Sequence, residues 1–241
     1  MTEQAVAFEG LVDDYDAARP TYPTALYDAL PLSASSRVLE LGAGTGIASR
    51  ELAGRCTLIA TDRGPKMLSR LRSHLPGLPA VVARAEAVPF ADGSFDGVCG
   101  AQMWHWVDAP AAAAEVRRVL RPGGWLAVWW NDVSADGQDW YDAQQDRLEA
   151  LSTTGYQRTY RTADYAGQLG EHFSRVETWT GSWERELDWP TYERWLLSKS
   201  YVAALPDVAA FVAAERASLA AAFPDGVIGE PFGVRLLTAW T

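Results

Sequence analysis

The sequence has few cysteines, and they form no familiar site. Cys56 and Cys99 are the two cysteines among 241 residues, and their separation excludes a CxxC motif. A disulfide framework and the common cysteine-based zinc sites are therefore excluded. Each cysteine lies in an apolar run, so we expect two small buried side chains. The chain also lacks HExxH and any cluster of cysteine and histidine with ligand spacing, so we predict no metal site.

Lysine is also scarce, and basic residues are outnumbered. Lys66 and Lys199 are the two lysines, and 21 basic residues face 31 acidic ones, for a net charge of −10. The arginines are scattered, with Arg117 and Arg118 as the one adjacent pair. Proteins that hold nucleic acid use basic patches to neutralise phosphates. We therefore expect neither a nucleic-acid partner nor an anionic membrane partner.

Long apolar runs are absent as well. No stretch approaches the roughly 18 residues of a membrane helix, and no basic segment followed by a short apolar one opens the chain. We expect a cytoplasmic protein, a monomer or a homodimer. The length and a hydrophobic content of 48% are typical of a soluble chain that forms one domain with its own core.

The first half of the chain alternates short apolar segments with amphipathic ones. This alternation predicts an α/β fold with a doubly wound parallel sheet. The predicted strands are Arg37–Gly42, Thr57–Asp62, Ala80–Ala85, Ser94–Gln102 and Gly124–Asn131. The predicted helices between them are Thr45–Gly54, Pro65–Leu75 and Ala109–Leu120.

The second half is less regular and rich in aromatic residues. Helical segments surround a β-rich stretch at Phe173–Trp189, and Phe232–Trp240 is predicted to be a last strand. Eight of the eleven tryptophans lie from Trp129 onward. Aromatic side chains form cores and also line ligand pockets. We expect most of these aromatic side chains to belong to the core.

A glycine-rich turn follows the first predicted strand. Glu40 begins the pattern E-x-G-x-G-x-G, which ends at Gly46. A dinucleotide-binding GxGxxG would need glycine at position 47 or 49, where the chain has Ile47 and Ser49. The turn also lacks the GK[ST] ending of a phosphate-binding loop. The pattern therefore favours a ligand without a phosphate chain.

An acidic residue ends the second predicted strand. Asp62 lies twenty residues after Gly42, where a carboxylate can accept hydrogen bonds from both hydroxyls of a ribose. A glycine-rich turn, a ribose-binding acid and no phosphate site together indicate a nucleoside ligand.

Four segments then resemble successive motifs of the class I S-adenosylmethionine (SAM)-dependent methyltransferases. They are VLELGAGTG from Val38, ATDRGPKML from Ala60, ARAEAVPFADGSFDGVCGAQMWHWVD from Ala83 and EVRRVLRPGGWLAVWWN from Glu115. The chain is most similar to small-molecule members of the trans-aconitate and ubiquinone/menaquinone-biosynthesis kind. The resemblance covers about Tyr15 to Asn131.

The resemblance implies a Rossmann-like, doubly wound sheet of seven strands, mostly parallel with an antiparallel last strand, and a helical insertion in the C-terminal half. It also implies a single domain over 1–241. Within it, 1–35 would cover the cofactor, 36–131 would bind SAM, and 132–231 would be the substrate-covering insertion with late core strands.

The resemblance assigns thirteen residues to SAM binding, with S-adenosylhomocysteine (SAH) as the product. They are Tyr15, Arg19, Glu40, Gly42, Ala43, Gly44, Gly46, Asp62, Arg63, Met67, Ala85, Glu86 and Gln102. The glycines would pass the methionyl part, and Glu40 would meet its amino group. Tyr15 and Arg19 would contact its carboxylate, because a guanidinium pairs well with a carboxylate.

The remaining residues would surround the nucleoside and the sulfur. Asp62 would bind the ribose, with Arg63 and Met67 beside the adenine. Ala85 and Glu86 would follow the adenine edge. Many relatives have aspartate where this chain has Arg84, so adenine recognition would use a backbone carbonyl or Glu86. Gln102 would face the sulfonium.

His105 is the candidate catalytic residue. It follows the fourth predicted strand in QMWHWVD, at the sheet edge where α/β proteins bind ligands. It could act as a general base, orient the acceptor as a donor, or be a structural histidine. Tyr22, Trp104, Trp106, Trp130 and Asn131 are possible pocket neighbours by position.

We therefore predict a SAM-dependent methyltransferase that acts on a small-molecule oxygen or nitrogen acceptor, including a carboxylate or a hydroxyl. Two alternatives stay open. One is a SAM- or SAH-binding protein that serves as a sensor or partner without transferring the methyl group. The other is an NAD-linked oxidoreductase, against which Ile47 and Ser49 argue.

Overall fold

The computed structural model describes residues 19–135, 137–153, 156 and 163–241. The chain divides into two compact units. The core unit comprises residues 21–131, 163–181 and 234–241. The insertion unit comprises residues 1–20, 132–162 and 182–233, of which the described residues lie within the ranges above. That the chain acts as a single domain stays a prediction.

Seven strands form one sheet in the order β3-β2-β1-β4-β5-β7-β6. Their bounds are β1 Arg37–Leu41, β2 Thr57–Asp62, β3 Ala80–Val82, β4 Phe95–Ala101, β5 Leu120–Val133, β6 Arg175–Leu187 and β7 Ile228–Trp240. Strand β1 pairs in parallel with β2 and β4, which pair in parallel with β3 and β5. The last strands are antiparallel. The predicted α/β, Rossmann-like sheet of seven strands is therefore confirmed.

Nine α-helices and one short 3-10 helix connect the strands in the described part of the chain. They are α1 Thr24–Asp28, α2 Ser49–Leu52, α3 Pro65–His74, α4 Ala109–Val119, α5 Asp139–Leu151, α6 Tyr165–Gly170, α7 Trp189–Leu197, α8 Ser200–Ala203 and α9 Val208–Ala222. The 3-10 helix is Trp104–Trp106. Within the described residues, none of these helices has both the length and the apolar character needed to cross a membrane.

Local sequence explains where α4 begins and which side it buries. The Asp108 side chain accepts a hydrogen bond from the Ala111 amide, and Pro110 occupies the first turn, where its missing N–H costs nothing. Four residues at helical spacing face the core, namely Ala112, Ala113, Val116 and Val119. Both faces of the sheet are covered around β1, whose residues from Val38 to Leu41 are all buried.

Two predicted elements are shorter in the structure. The predicted helix Thr45–Gly54 begins only at Ser49, because Gly46 has φ +90°, a value that no α-helix contains. The predicted strand Ala80–Ala85 ends at Val82, and Arg84 then forms an isolated antiparallel bridge with Ala87. In both places the chain turns at residues where the apolar pattern predicts a regular element.

The insertion unit has a buried polar link between α5 and α9. Glu215 is fully buried, and its carboxylate accepts hydrogen bonds from Arg147 Nε at 2.6 Å and Gln144 Nε2 at 2.7 Å. Gln144 Nε2 also donates to the Tyr192 hydroxyl of α7. A buried carboxylate needs such partners, because unpaired charge is costly away from water. These contacts hold three helices of the unit together.

The indole of Trp125 crosses directly over Gly97, where β4 pairs with β5. A Cβ atom at Gly97 would overlap the six-membered ring of Trp125. We expect Gly97→Ala to lower the free energy of unfolding by about 1–3 kcal/mol, the usual cost of overpacking a core. Urea unfolding monitored by circular dichroism would measure this loss.

Gly77→Ala is the matched control, because a Cβ atom there would meet none of the described atoms within 4 Å. Its effect should stay within about 0.5 kcal/mol, as is usual for surface substitutions. Equal effects of the two substitutions would show that the Trp125 contact does not require glycine.

Candidate functional site

The glycine-rich turn between β1 and α2 is built from left-handed backbone. Gly42, Gly44 and Gly46 have φ values of +63°, +57° and +90°. A Cβ atom at Gly42 would lie 2.8 Å from Cβ of Met103, whereas one at Gly44 would meet no atom of the described residues within 4 Å. Gly42 is thus required by packing inside the protein. Gly44 instead leaves an open surface on which a ligand can lie against the backbone.

Asp62, at the end of β2, holds this turn in place. Its Oδ2 accepts a hydrogen bond from the Gly44 amide at 2.9 Å, and its Oδ1 accepts one from the Gly64 amide at 2.7 Å. Burial raises the pKa of this carboxyl, and the two amide bonds oppose the rise. A carboxylate offers about four lone pairs. Two stay available for further donors, such as the two hydroxyls of a ribose.

Glu40 lies beneath the turn and is nearly inaccessible to water. Only 1% of it is exposed, and its Oε2 accepts a hydrogen bond from Ser49 Oγ at 2.6 Å. Burial raises its pKa from the ordinary value of 4.5 to about 7, against the lowering effect of the Ser49 bond, and the charge of Asp62 adds to the rise. The predicted contact with the amino group of SAM stays a prediction.

The residues predicted around adenine lie in the loop after β2, in α3 and in the loop after β3. The amide of Ala43 donates to the Thr61 carbonyl, which ties the turn to β2. Met67 is buried and lies against Gly64. Glu86 accepts hydrogen bonds from Arg84 Nε at 3.3 Å and the Asp108 amide at 3.1 Å.

Two other members of this group are placed simply. Arg63 is exposed and Ala85 is half-buried. Together with the turn, these residues follow the ends of three neighbouring strands in the core unit.

Gln102 has a strained backbone at the end of β4. Its φ is +53°, the one positive value among the described residues other than glycine. Its amide donates to the Trp129 carbonyl at 2.9 Å, and its Nε2 donates to the Asn131 carbonyl at 2.9 Å. Asn131 Nδ2 donates in turn to the Thr21 carbonyl. Such a conformation costs about 1–3 kcal/mol and is concentrated at functional sites.

His105 lies in the 3-10 helix just beyond Gln102. Its Nδ1 accepts a hydrogen bond from Trp130 Nε1 at 3.2 Å. Burial lowers its pKa to about 4, so the ring is neutral at pH 7. The neighbouring ring of Trp106 is centred 4.9 Å away and is 48% exposed. The predicted catalytic histidine thus lies at the predicted edge of the sheet, with one nitrogen already engaged.

Two of the predicted residues belong to the N-terminal segment of the sequence. Arg19 belongs to the insertion unit, where it donates to the Ser198 carbonyl at 3.1 Å and lies 5.0 Å from the ring centre of Trp195. Tyr15 lies outside the described residues. Their contact with the SAM carboxylate stays a prediction.

Thr45 is a candidate that the sequence pattern did not single out. It is buried in the middle of the turn, and its hydroxyl finds no hydrogen-bond partner among the described residues. Buried hydroxyls are rarely left unsatisfied. A ligand in the turn could supply the missing partner. Because the pattern of glycines and acids says nothing about this hydroxyl, its environment was needed to find it.

No group of three potential metal ligands occurs within the described ranges. The polar groups of the turn are carboxylates and backbone amides, and the turn contains no lysine of the kind that binds a phosphate chain. These features suit a nucleoside with a charged amino-acid part better than a nucleotide.

Comparison with known proteins places this geometry in context. The methyltransferase domain family matches residues 39–128. An uncharacterized methyltransferase of Mycobacterium tuberculosis is 45% identical over 130 residues, which make up 54% of this chain and 54% of that protein. The chain thus spans about half the length of the curated relatives it matches. The residues that match the family, 39–128, contain the glycine-rich turn, Asp62 and His105.

Solved structures are similar over more of the chain. A protein of Anaeromyxobacter dehalogenans, provisionally described as a type II methyltransferase, is 26% identical over 92% of this chain and 97% of its own, with a TM-score of 0.72. Phosphoethanolamine N-methyltransferase 2 of Haemonchus contortus, solved with SAH, is 16% identical over 97% of this chain and 57% of its own, with a TM-score of 0.56. The second similarity concerns the fold alone.

The buried position of Glu40 predicts a pH-dependent stability. The folded protein keeps this carboxyl protonated where the unfolded chain has already ionised it, so this stabilisation is complete below pH 4.5 and is lost as pH rises through about 7. A pKa difference of this size corresponds to about 3 kcal/mol. We expect Glu40→Gln to remove this part of the decrease in unfolding free energy between pH 5 and pH 8, measured by urea unfolding.

Glu51→Gln, in the exposed part of α2, is the control and should follow the wild-type profile. If Glu40→Gln and wild type show parallel profiles, the buried carboxyl does not titrate in this range.

Proposed function

We propose that this chain, which carries a class I SAM-dependent methyltransferase domain, transfers a methyl group from SAM to a small-molecule acceptor. The observation that supports this most strongly is the bond from the Gly44 amide to Asp62. It joins an open backbone surface to a carboxylate with free lone pairs. This combination suits a nucleoside whose other end is an amino acid.

The residues of the core unit fit the two ends of SAM. Asp62 would accept the ribose hydroxyls, and Gly44 would let the methionyl part approach the backbone. The buried hydroxyl of Thr45 would gain a partner, and Glu40 would provide negative charge beneath the cationic part. When bound, SAM supplies a methyl group on a sulfonium, which a lone pair of the acceptor takes up as the carbon–sulfur bond breaks and its electrons return to sulfur.

A small molecule is the acceptor that the composition favours. The net charge of −10 disfavours nucleic acid. The insertion unit is rich in aromatic side chains, including Trp140, Trp195 and the stacked pair Trp183 and Phe232. Such side chains suit a partly apolar oxygen or nitrogen acceptor. We further propose a cytoplasmic protein, monomeric or homodimeric, that needs no membrane.

Two measurements test the proposed function. Titration calorimetry compares binding of SAM, SAH and NAD, and methyl transfer from radiolabelled SAM to a metabolite extract then reports activity. We expect SAM and SAH to bind, NAD not to bind, and label to appear in the extract. Binding of NAD alone would contradict the proposal and favour an oxidoreductase. Binding of SAM without transfer to any extract would favour a sensor or partner protein.

The open surface at Gly44 gives a sharper prediction for the cofactor. Gly44→Val places a branched side chain where, in the part of the chain that the structure describes, no atom lies within 4 Å, so the side chain would occupy the space proposed for SAM. We expect loss of measurable SAM binding by calorimetry. The positive φ alone costs about 1–2 kcal/mol of stability, which the fold should tolerate.

Gly93→Val controls for this backbone strain. Gly93 has φ +61° and equally open surroundings, but it precedes β4 and so lies at the opposite edge of the sheet. The two variants should lose similar stability, while Gly93→Val keeps its affinity for SAM. If Gly44→Val kept its affinity for SAM, SAM would not bind at this turn.

A further inference from the structure

A surface cavity of about 420 Å³ lies in the core unit, where the end of α4 meets the start of β5. Three arginines line it, namely Arg117 and Arg118 from the last turn of α4 and Arg121 from β5. Leu120 and Pro122 add apolar surface to the same lining. The one adjacent arginine pair of the sequence is therefore part of a concave basic surface, to which the proposed function assigns no role.

The cavity lies at the opposite edge of the sheet from the glycine-rich turn. Strands β1, β4 and β5 run parallel, so their first residues share one edge and their last residues share the other. The cavity is lined by the first three residues of β5, whereas the turn follows the last residue of β1. A ligand in the cavity would therefore leave the space proposed for SAM unoccupied.

Arg118 forms a fixed wall of the cavity. Its Nε and Nη2 donate to the two oxygens of Glu115, each at 2.8 Å, and its Nη1 donates to Asp92 Oδ1 at 2.7 Å. The carbonyls of Phe90 and Val88 accept its two other N–H groups. All five N–H groups of this guanidinium are thus engaged. Arg118 therefore fixes the shape of the cavity and offers a ligand no further donor.

Arg121 is anchored but keeps donors for a ligand. Its Nη1 donates to Asp96 Oδ1 at 2.6 Å, and its Nε donates to the Gly93 carbonyl at 3.4 Å. Since a guanidinium has five N–H groups, three have no acceptor among the described residues. The amide of Gly123 donates to Thr241 Oγ1 at 3.1 Å, which joins this part of β5 to the residue after β7. The wall on this side is thus held in place as well.

Arg117 carries the charge that the cavity leaves unbalanced. It is exposed, and it makes no ion pair or hydrogen bond with any residue that the structure describes. By contrast, Arg118 is balanced by two carboxylates and Arg121 by one. The carbonyl end of α4 contributes only about half a negative charge. The cavity therefore has a surplus of positive charge, in a chain whose net charge is −10.

We propose that this cavity binds an oxyanion, the phosphate or carboxylate group of a small molecule. Arg117 pairs with the oxyanion through two parallel N–H groups, and the remaining N–H groups of Arg121 complete its hydrogen bonds. The apolar part of the molecule lies against Leu120 and Pro122. Small-molecule sites have volumes of about 300–1,000 Å³, so the cavity has room for more than a lone ion. The site is independent of the proposed function, because it needs neither SAM nor the methyl acceptor.

Binding can be measured by NMR titration of the full chain. The probes are phenyl phosphate, benzoate and inorganic phosphate, at an ionic strength held constant with sodium chloride. We expect phenyl phosphate or benzoate to give saturable shifts in the side-chain Nε–H signals of Arg117 and Arg121, and to bind more tightly than inorganic phosphate. Absence of saturable shifts with all three probes would overturn the proposal. Equally tight binding of inorganic phosphate would contradict a small-molecule occupant.

Substitutions at Arg117 test its part in the site. We expect Arg117→Gln to bind phenyl phosphate at least about tenfold more weakly, because it loses both the charge and the paired N–H groups. Arg117→Lys keeps the charge without the planar fork, so its affinity should lie between those of Arg117→Gln and wild type. Full affinity in Arg117→Lys would overturn the bidentate pairing.

Arg194→Gln is the matched control, because Arg194 is an exposed arginine of α7 in the insertion unit and its substitution changes the net charge equally. This variant should bind phenyl phosphate as wild type does. Equal affinities of Arg117→Gln and Arg194→Gln would show that net charge alone attracts the probe, and would overturn the site.

A membrane surface presents the same phosphate chemistry, and cosedimentation with phosphatidylglycerol vesicles distinguishes the two sources. We expect no cosedimentation at the ionic strength of the titration, because the net charge of −10 opposes an anionic surface. Binding to vesicles that depends on Arg117, without binding of phenyl phosphate, would overturn the proposal.

Two further measurements separate this site from the fold and from the proposed cofactor site. Because Arg117 is exposed, its substitution should leave the midpoint of urea unfolding unchanged. The affinity of Arg117→Gln for SAM, measured by calorimetry, should also equal that of wild type. If Arg117→Gln lost SAM and phenyl phosphate together, the two sites would not be independent and the proposal would be overturned. If wild type bound phenyl phosphate but not SAM, the proposed function would fail and this site would stand.

Discussion

The carboxylate of Asp62 is the contact on which the arrangement of the candidate site depends. It accepts hydrogen bonds from the amides of Gly44 and Gly64, and so connects the turn after β1 with the turn after β2. Buried amides and a buried carboxylate each need partners, and here they satisfy one another. The same carboxylate keeps two further lone pairs for a ligand. A single side chain therefore supports both turns and, in the proposed function, would also bind the ligand.

Much of the fold could be predicted from the sequence, because the periodicity of buried strands and half-buried helices is local. β2 has the predicted bounds, and β1, β4 and β7 differ from theirs by a few residues at most. The helix predicted from Thr45 was wrong at its start, because its pattern is helical while Gly46 adopts a left-handed φ. The early end of β3 depends on the bridge between Arg84 and Ala87. A local change of backbone conformation of this kind does not alter the hydrophobic pattern, so the pattern could not predict it.

Part of the candidate site could likewise be predicted from the sequence. The glycine spacing and the acid at the end of the next strand are visible in the sequence itself, and the structure brings Gly44 and Asp62 into contact. The sequence did not show why position 42 must be glycine, because the requirement comes from the packing of the Met103 side chain against it. Nor did it show the bond between Trp130 and His105, which needs β4 and β5 in their parallel pairing. That the assigned residues bind SAM stays a prediction.

The raised pKa of Glu40 also makes the proposed cofactor a proton-linked ligand. SAM carries positive charge on its sulfonium and amino groups, and a cation above the turn favours ionised Glu40. Near pH 7 binding would then expel a proton, so the calorimetric enthalpy would vary with the ionisation enthalpy of the buffer. SAH has lost the sulfonium charge and would expel less. Discrimination between cofactor and product would accordingly increase toward alkaline pH, and product release would be easiest where Glu40 is protonated.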